Sequence, residues 1–201
     1  MPDWAGIMES WPVVKPSYNV APTSNIPVFR QGKGELMRWG LIPKWSDTFD
    51  SSYATFNARI ETVHEKPAFK SAWKNGQRCL IPMAGYYEWK GEKGNKQPYY
   101  VTDRFAGGVV AAGIYESWKL DKFFSCTMIT KEADEAMANL HSRIPLLLTP
   151  ESARDWLSCT DNLDHEVVAS IVRPKLSYYK VGKVVGNSDV DNADLIEPKR
   201  I

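Results

Sequence analysis

No stretch of the 201-residue sequence approaches the roughly 18 uncharged apolar residues that a membrane span needs. Nor does the opening MPDWAGIMES place a basic stretch before an apolar one, so no signal peptide is expected. Cysteine is scarce: Cys79, Cys126 and Cys159 are scattered, odd in number and without a CxxC, which argues against a disulfide framework and a zinc site. With only three histidines there is no metal-ligand cluster, and no metal or cofactor is expected. A phosphate-binding glycine loop and a Gly-x-Ser-x-Gly elbow are both missing, which leaves the common metabolic enzymes without support. An excess of one charge is missing too. Lys+Arg 25 against Asp+Glu 24 gives a net charge of +1, so the total does not announce a nucleic-acid partner. A local basic face would suffice to bind one. The expectation is a cytoplasmic chain with no membrane contact.

What is present is ordinary for a folded domain: 43% apolar and 24% charged residues. One α+β domain over 1–201 is expected, built on a mostly antiparallel sheet or partial β-barrel with flanking helices. The first 35 residues carry Pro2, Pro12, Pro16, Pro22 and Pro27 and show little periodicity, so they are ordered only by packing on something else. Strands are expected at 35–42, 78–83, 108–116, 123–130 and 178–185. A hairpin is expected from Tyr86–Lys90 and Pro98–Thr102 around the polar GEKGNKQ. Helices are expected at 66–76, 131–140, after the Thr149-Pro150-Glu151 start, and at 164–172 before Pro174. Cys79 and Cys126 fall in strand-like apolar runs and read as small buried hydrophobes.

Five segments look over-specified for packing alone: YNVAPT (18–23), RWGLIPKW (38–45), FNARIET (56–62), GYYEWK (85–90) and HSRIPLLL (141–148). Each has a plain structural reading. Asn19 fits a turn residue bonding its own backbone. Glu88, alternating with Tyr87 and Trp89, fits a solvated face. His141 fits a helix-end partner of the macrodipole. Trp39 and Trp45 fit the core. On one face of a strand, Asn57, Arg59 and Glu61 would stand together.

Taken in order, YNVAP, WGLIPKW, FNARIET, GYYEWK, HSRIPLLL and the closing VVGN (184–187) resemble the SOS response-associated peptidase family, the abasic-site processing proteins, from about Tyr18 to Ile196. The resemblance implies action on single-stranded DNA carrying abasic sites, as a monomer and without metal. It also implies a covalent bond to the lesion, made by a cysteine at position two that removal of the initiator methionine exposes. An N-terminal cysteine offers an amine that forms a Schiff base with the ring-opened sugar aldehyde, and a thiol that closes a thiazolidine. The family's peptidase-like autoprocessing bares that cysteine.

Residue by residue, the resemblance makes Glu88 the catalytic carboxylate that shuttles protons and His141 the imidazole that orients the sugar hydroxyl. Asn19 becomes the amide that holds the nucleophile. Asn57, Arg59 and Arg143 line the cleft and grip phosphates. Pro22 and Trp45 form the apolar surface on which flanking bases stack. Ser46 departs from the second aromatic that many relatives carry after Trp45, and Lys44 and Lys70 are available for compensating phosphate contacts. The opening departs further. Met1-Pro2-Asp3-Trp4 stands where the family has Met-Cys-Gly-Arg-Phe. A start placed too late or a truncation, a member that has shed its nucleophile and binds DNA non-covalently, and an iminium formed by Pro2 all remain open on the residues.

Overall fold

The computed structural model describes residues 4, 6–49, 54–103, 105–119, 122–159 and 175–199. The expected helix at 164–172 lies outside these residues.

The chain opens its regular structure with β1 (Asn25–Arg30) and β2 (Lys33–Trp39), an antiparallel hairpin in which Arg30 faces Lys33. Its two-residue turn puts Gln31 at φ 50° and Gly32 at φ 78°. Left-handed backbone at both central positions gives the turn whose twist matches the flanking strands. Four longer strands follow: β4 (Arg78–Met83), β5 (Tyr86–Lys90), β6 (Gln97–Thr102) and β7 (Val109–Trp118). They are preceded by the short β3 (Asn57–Arg59) and the helix α1 (Lys70–Lys74). β8 (Phe123–Glu132), α2 (Glu135–Ala138), β9 (Arg143–Pro145), β10 (Leu147–Leu148), α3 (Pro150–Ser158) and β11 (Ser177–Lys180) complete the order.

β7 pairs antiparallel with both β4 and β8; β4 pairs with β1, β1 with β2, and β2 with β8. Five strands therefore close on themselves. The five strands make a closed barrel, whose parallel seam lies between β2 and β8; outside the ring, β3 also pairs parallel with β8. Closure leaves no free edge among these strands. Ile26, Val28, Met37, Cys79, Ile81, Ala111, Cys126 and Met128 form one buried cluster on the alternating positions that face into the ring. Phe29, Leu80, Ala112, Ile114 and Ile129 stand on the opposite positions and pack outward against Trp73 of α1 and Trp156 of α3.

β5, β6 and β11 form a separate antiparallel sheet, with Glu88 opposite Tyr99 and Tyr86 opposite Val101. One face of this sheet meets α2. Val101 packs with Met137, Leu140 and Ile144, with Tyr86 and Tyr99 alongside. The other face carries Tyr100 onto Val181, Val185 and Leu195 of the C-terminal segment.

Several elements differ from expectation. β1 lies inside the proline-rich opening, and its residues are buried on both faces, so no alternation marks it. The expected helix at 131–140 shrinks to α2, because β8 runs on to Glu132 and Asp134 caps the helix by accepting from the Met137 amide. The expected strand at 178–185 ends at Lys180 and gives way to a 3-10 turn over Lys183–Gly186. Of the expected helix at 66–76 only α1 is α-helical.

Candidate active site

The geometry of the second sheet delivers two distant side chains to one place. Glu88 lies on the same face of β5 as Tyr86, the face on which α2 docks through Met137 and Leu140. Docking α2 there brings the residue that follows Leu140, His141, over that face. The carboxyl Oε2 of Glu88 then lies 3.7 Å from Nδ1 of His141. The Glu88 side chain is 18% exposed, so it is not the solvated face residue that alternation suggests. Burial pushes its carboxyl above the ordinary carboxylate value, and the charges of His141 and Lys96 and the Trp89 backbone N–H only partly oppose the shift.

His141 is held at one nitrogen. Its Nδ1 is 2.8 Å from the carbonyl oxygen of Arg143 and 3.1 Å from the Arg143 backbone N–H. One acceptor, the Arg143 carbonyl, and one donor, the Arg143 N–H, lie within hydrogen-bond distance of Nδ1, and the Glu88 carboxyl stands beyond it at 3.7 Å. The shorter contact, to the carbonyl, favours the proton on Nδ1. The neutral ring then carries its lone pair on Nε2, which has no partner among the described residues.

The guanidinium of Arg143 is already engaged. Nη1 and Nη2 donate to Oε1 and Oε2 of Glu61 at 2.8 and 2.9 Å, and Nη2 also donates to the Thr130 carbonyl at 2.8 Å. The expectation that this fork grips a phosphate therefore meets a carboxylate in place. Arg59 is different: it is exposed on β3 beside Asn57, in register with Thr130, and has no ion-pair partner among the described residues. Glu61 does not continue that strand face; it sits in the turn after β3.

Asn19 is not bonding its own turn. Its amide NH2 donates to the carbonyls of Val190, Asn187 and Val185 at 2.9, 3.0 and 3.3 Å, which ties YNVAP to VVGN. Its carbonyl oxygen has no partner among the described residues. Tyr87, next to Glu88, donates from its hydroxyl to the Tyr18 carbonyl at 2.7 Å, so Asn19 is fastened close to β5.

A continuous run of contacts joins the other expected residues. Pro22 is exposed, and the Thr23 amide beside it donates to the Trp39 carbonyl. The Trp39 indole donates to the carbonyl of Phe56, which precedes Asn57. Arg59, Thr130, Arg143, His141 and Glu88 continue the path. Trp45 and Lys70 stand apart from it. Trp45 is 59% exposed rather than in the core, with its indole donating to the Pro67 carbonyl at 3.4 Å, and Lys70 is exposed at the start of α1. Next to Trp45, Phe49, Trp118 and Phe123 form an aromatic cluster, with Lys119 Nζ 4.2 Å from the Trp118 ring centre. The Trp118 indole donates to the carbonyl of Ser46. Sequence reasoning passed over this cluster, because Phe49 comes from a loop while Trp118 and Phe123 are paired at the end of β7 and the start of β8, with no shared motif.

Cys79 and Cys126 are fully buried, and burial pushes both thiols well above the ordinary thiol value, so neither is a nucleophile. Among the described residues no group of three or more His, Cys, Asp and Glu is arranged to hold a metal ion, and no helix is long and apolar enough to cross a membrane.

A closed barrel with a side sheet that presents an acid–imidazole pair beside a free arginine defines a recognisable class. The family model for SOS response associated peptidase (SRAP) matches residues 4–188. This chain belongs to that family. It is 34% identical over 194 residues to the abasic site processing protein YoqW of Bacillus subtilis, covering 90% of this chain and 86% of that protein. It is 31% identical over 191 residues to the abasic site processing protein YedK of Escherichia coli, covering 90% of this chain and 84% of that protein. A crystal structure of a protein from Bacteroides thetaiotaomicron superposes with a TM-score of 0.74 at 25% identity, covering 89% of this chain and 82% of that one.

Proposed function

We propose that this protein processes abasic sites in single-stranded DNA, with the reaction centred on Glu88 and His141. The observation that carries the reading is the 3.7 Å approach of the half-buried Glu88 carboxyl to the His141 ring, joined by direct contacts to Arg143 and, through Thr130, to Arg59. An abasic sugar is a cyclic hemiacetal. Opening it removes a proton from the anomeric hydroxyl and delivers one to the ring oxygen. A carboxyl whose proton affinity burial has raised can do both. The unpaired Nε2 of His141 accepts from a neighbouring sugar hydroxyl and holds the aldehyde in line.

The exposed Arg59 guanidinium, Asn57 and Lys70 grip backbone phosphates, while Pro22 and Trp45 offer apolar surface for flanking bases. Covalent capture then runs in two balanced steps. A primary amine adds to the aldehyde carbon and water leaves, giving the imine. A thiol on the adjacent carbon adds across C=N, its sulfur bonding to carbon and its proton passing to nitrogen, to close the five-membered ring. The unpaired carbonyl oxygen of Asn19 is the acceptor such an amine needs. The sequence opens Met1-Pro2-Asp3, so the capture step is tested on the chain carrying Met-Cys-Gly-Arg ahead of it.

An oligonucleotide with a single abasic site tests the reading. A salt-dependent shift on native gels, stronger for abasic than for intact strands, is expected from the chain as it stands. A band that survives denaturing electrophoresis is expected from the Cys-bearing chain. Glu88→Ala should slow its appearance about 100-fold, the lower end of what a positioned acid–base group contributes. His141→Ala should weaken formation or retention of the adduct. An unchanged rate in Glu88→Ala removes the proton-shuttle assignment. A native shift with no covalent band would instead make the protein a non-covalent binding module, the reading that the free Arg59 and exposed Trp45 favour.

A further inference from the structure

We propose that Glu61 is a positioning residue for His141, acting through Arg143. The inference rests on the role given to His141 above.

The contacts run in one direction. Both oxygens of Glu61 accept from the Arg143 fork, at 2.8 and 2.9 Å, across 82 positions of sequence. A single exposed ion pair holds little. This one is two-pronged, and Nη2 also donates to the Thr130 carbonyl at 2.8 Å and reaches Thr130 Oγ1 at 3.4 Å, so the guanidinium plane is fixed from two sides. The Nε of Arg143 is buried with no partner among the described residues, so the bonds of Nη1 and Nη2 to Glu61 and Thr130 offset the partial burial of this side chain.

The same residue holds His141 from its backbone. The N–H and the carbonyl of Arg143 both lie against Nδ1, at 3.1 and 2.8 Å. Arg143 is the first residue of β9, a strand of only three residues whose first register pair is Glu132 with Arg143. Backbone bonds hold the chain on either side, Ala133 N–H to the Ser142 carbonyl at 3.0 Å and His141 N–H to the Met137 carbonyl at 3.1 Å, and the Arg143 side chain adds an anchor of its own through Glu61 and Thr130. With Glu61 removed, the fork loses its clamp, the start of β9 loosens, and the ring is no longer bound to present Nε2 to a substrate. Glu61 reaches no reacting atom in this arrangement; it decides which ring nitrogen is available.

The test reads the ring directly, in the full chain labelled with nitrogen-15. Long-range proton–nitrogen spectra distinguish protonated from lone-pair imidazole nitrogens. With three histidines in the sequence, the His141 signals are assigned by their loss in His141→Gln. In the parent, neutral His141 should carry its proton on Nδ1 and its lone pair on Nε2. In Glu61→Gln and Glu61→Ala, both nitrogens should move toward the average of the two tautomers, and Glu61→Asp, which keeps a carboxylate, should return part of the way. Should Glu61→Ala fail to fold, Glu61→Gln preserves the volume and supplies the reading. His141 signals in Glu61→Gln that superimpose on the parent's overturn the proposal, and so does a parent ring protonated on Nε2. Tighter binding of an abasic strand by Glu61→Gln with an unmoved ring would also overturn it, making Glu61 a competitor for phosphate instead. If the ring responds as expected but no variant and no parent binds abasic DNA, Glu61 keeps its positioning role and the functional reading of the site falls.

Discussion

Two carboxylates a few ångströms from His141 or its anchor are driven in opposite directions by their surroundings. Burial pushes the Glu88 carboxyl up, whereas the hydrogen bonds and charge of Arg143 hold the Glu61 carboxyl below its ordinary value despite partial burial. The consequences for stability have opposite signs. The folded protein holds the Glu88 proton more tightly than the unfolded chain, so this group's contribution is complete below roughly pH 4.3 and is lost as pH rises through the raised value. Glu61 contributes above that ordinary value and loses its contribution as pH falls through the lowered one. In thermal unfolding from pH 4 to 7, Glu88→Gln should therefore gain on the parent as pH rises; a constant difference in Tm across the range would show that the carboxyl is not desolvated. The types of Glu88, His141 and Arg59 were readable from their motifs. The engagement of Arg143 was not, because its partner Glu61 belongs to a different motif, and only the fold brings the two within hydrogen-bond distance.

Elements with local signals were legible, and those that depend on burial were not. The Thr149-Pro150-Glu151 start is a helix start in the structure: Thr149 and Ser152 cap each other, with Pro150 at the first position of α3. Thr149→Ala should cost about 1 kcal/mol in urea unfolding. A change near zero would mean that Trp156, buried against the barrel with its indole donating to the carbonyls of Cys79 and Gly113, holds the helix without the cap. The β5–β6 hairpin also lies where its alternation and polar turn place it. β1 escaped notice since strands buried on both faces show no period of two, and prolines discourage a strand assignment. Pro27 is tolerated because β1 meets β4 only at Phe29. α2 is shorter than its pattern since β8 claims Lys131 and Glu132 for pairing with β9.

Closure of the barrel is a property of the whole molecule, and it depends on close packing inside the ring. A Cβ on Gly113 would lie 2.9 Å from both Cys79 Sγ and Ile81 Cδ1, with the Thr127 carbonyl oxygen at 3.1 Å. Gly113 pairs with Cys79 on β4 and with Met128 on β8, so any shift is felt on both sides of the strand. Gly113→Ala should destabilise by about 1–3 kcal/mol through overpacking. Denaturation indistinguishable from the parent's would mean that the interior can relax around a methyl group.

The sequence by itself determined the composition of a folded domain, the order of the β4-to-β8 strands, the start of α3 and the residue types able to move a proton or hold a phosphate. These follow from local periodicity, turn chemistry and side-chain chemistry, all of which act over a few residues. Only the tertiary structure decided that five strands close, that α2 carries His141 to Glu88, that Asn19 is fastened to the C-terminal segment, and that Glu61 meets the Arg143 fork. Each joins groups tens of residues apart or more, and such contacts are selected by the burial of whole faces rather than by any signal within one segment.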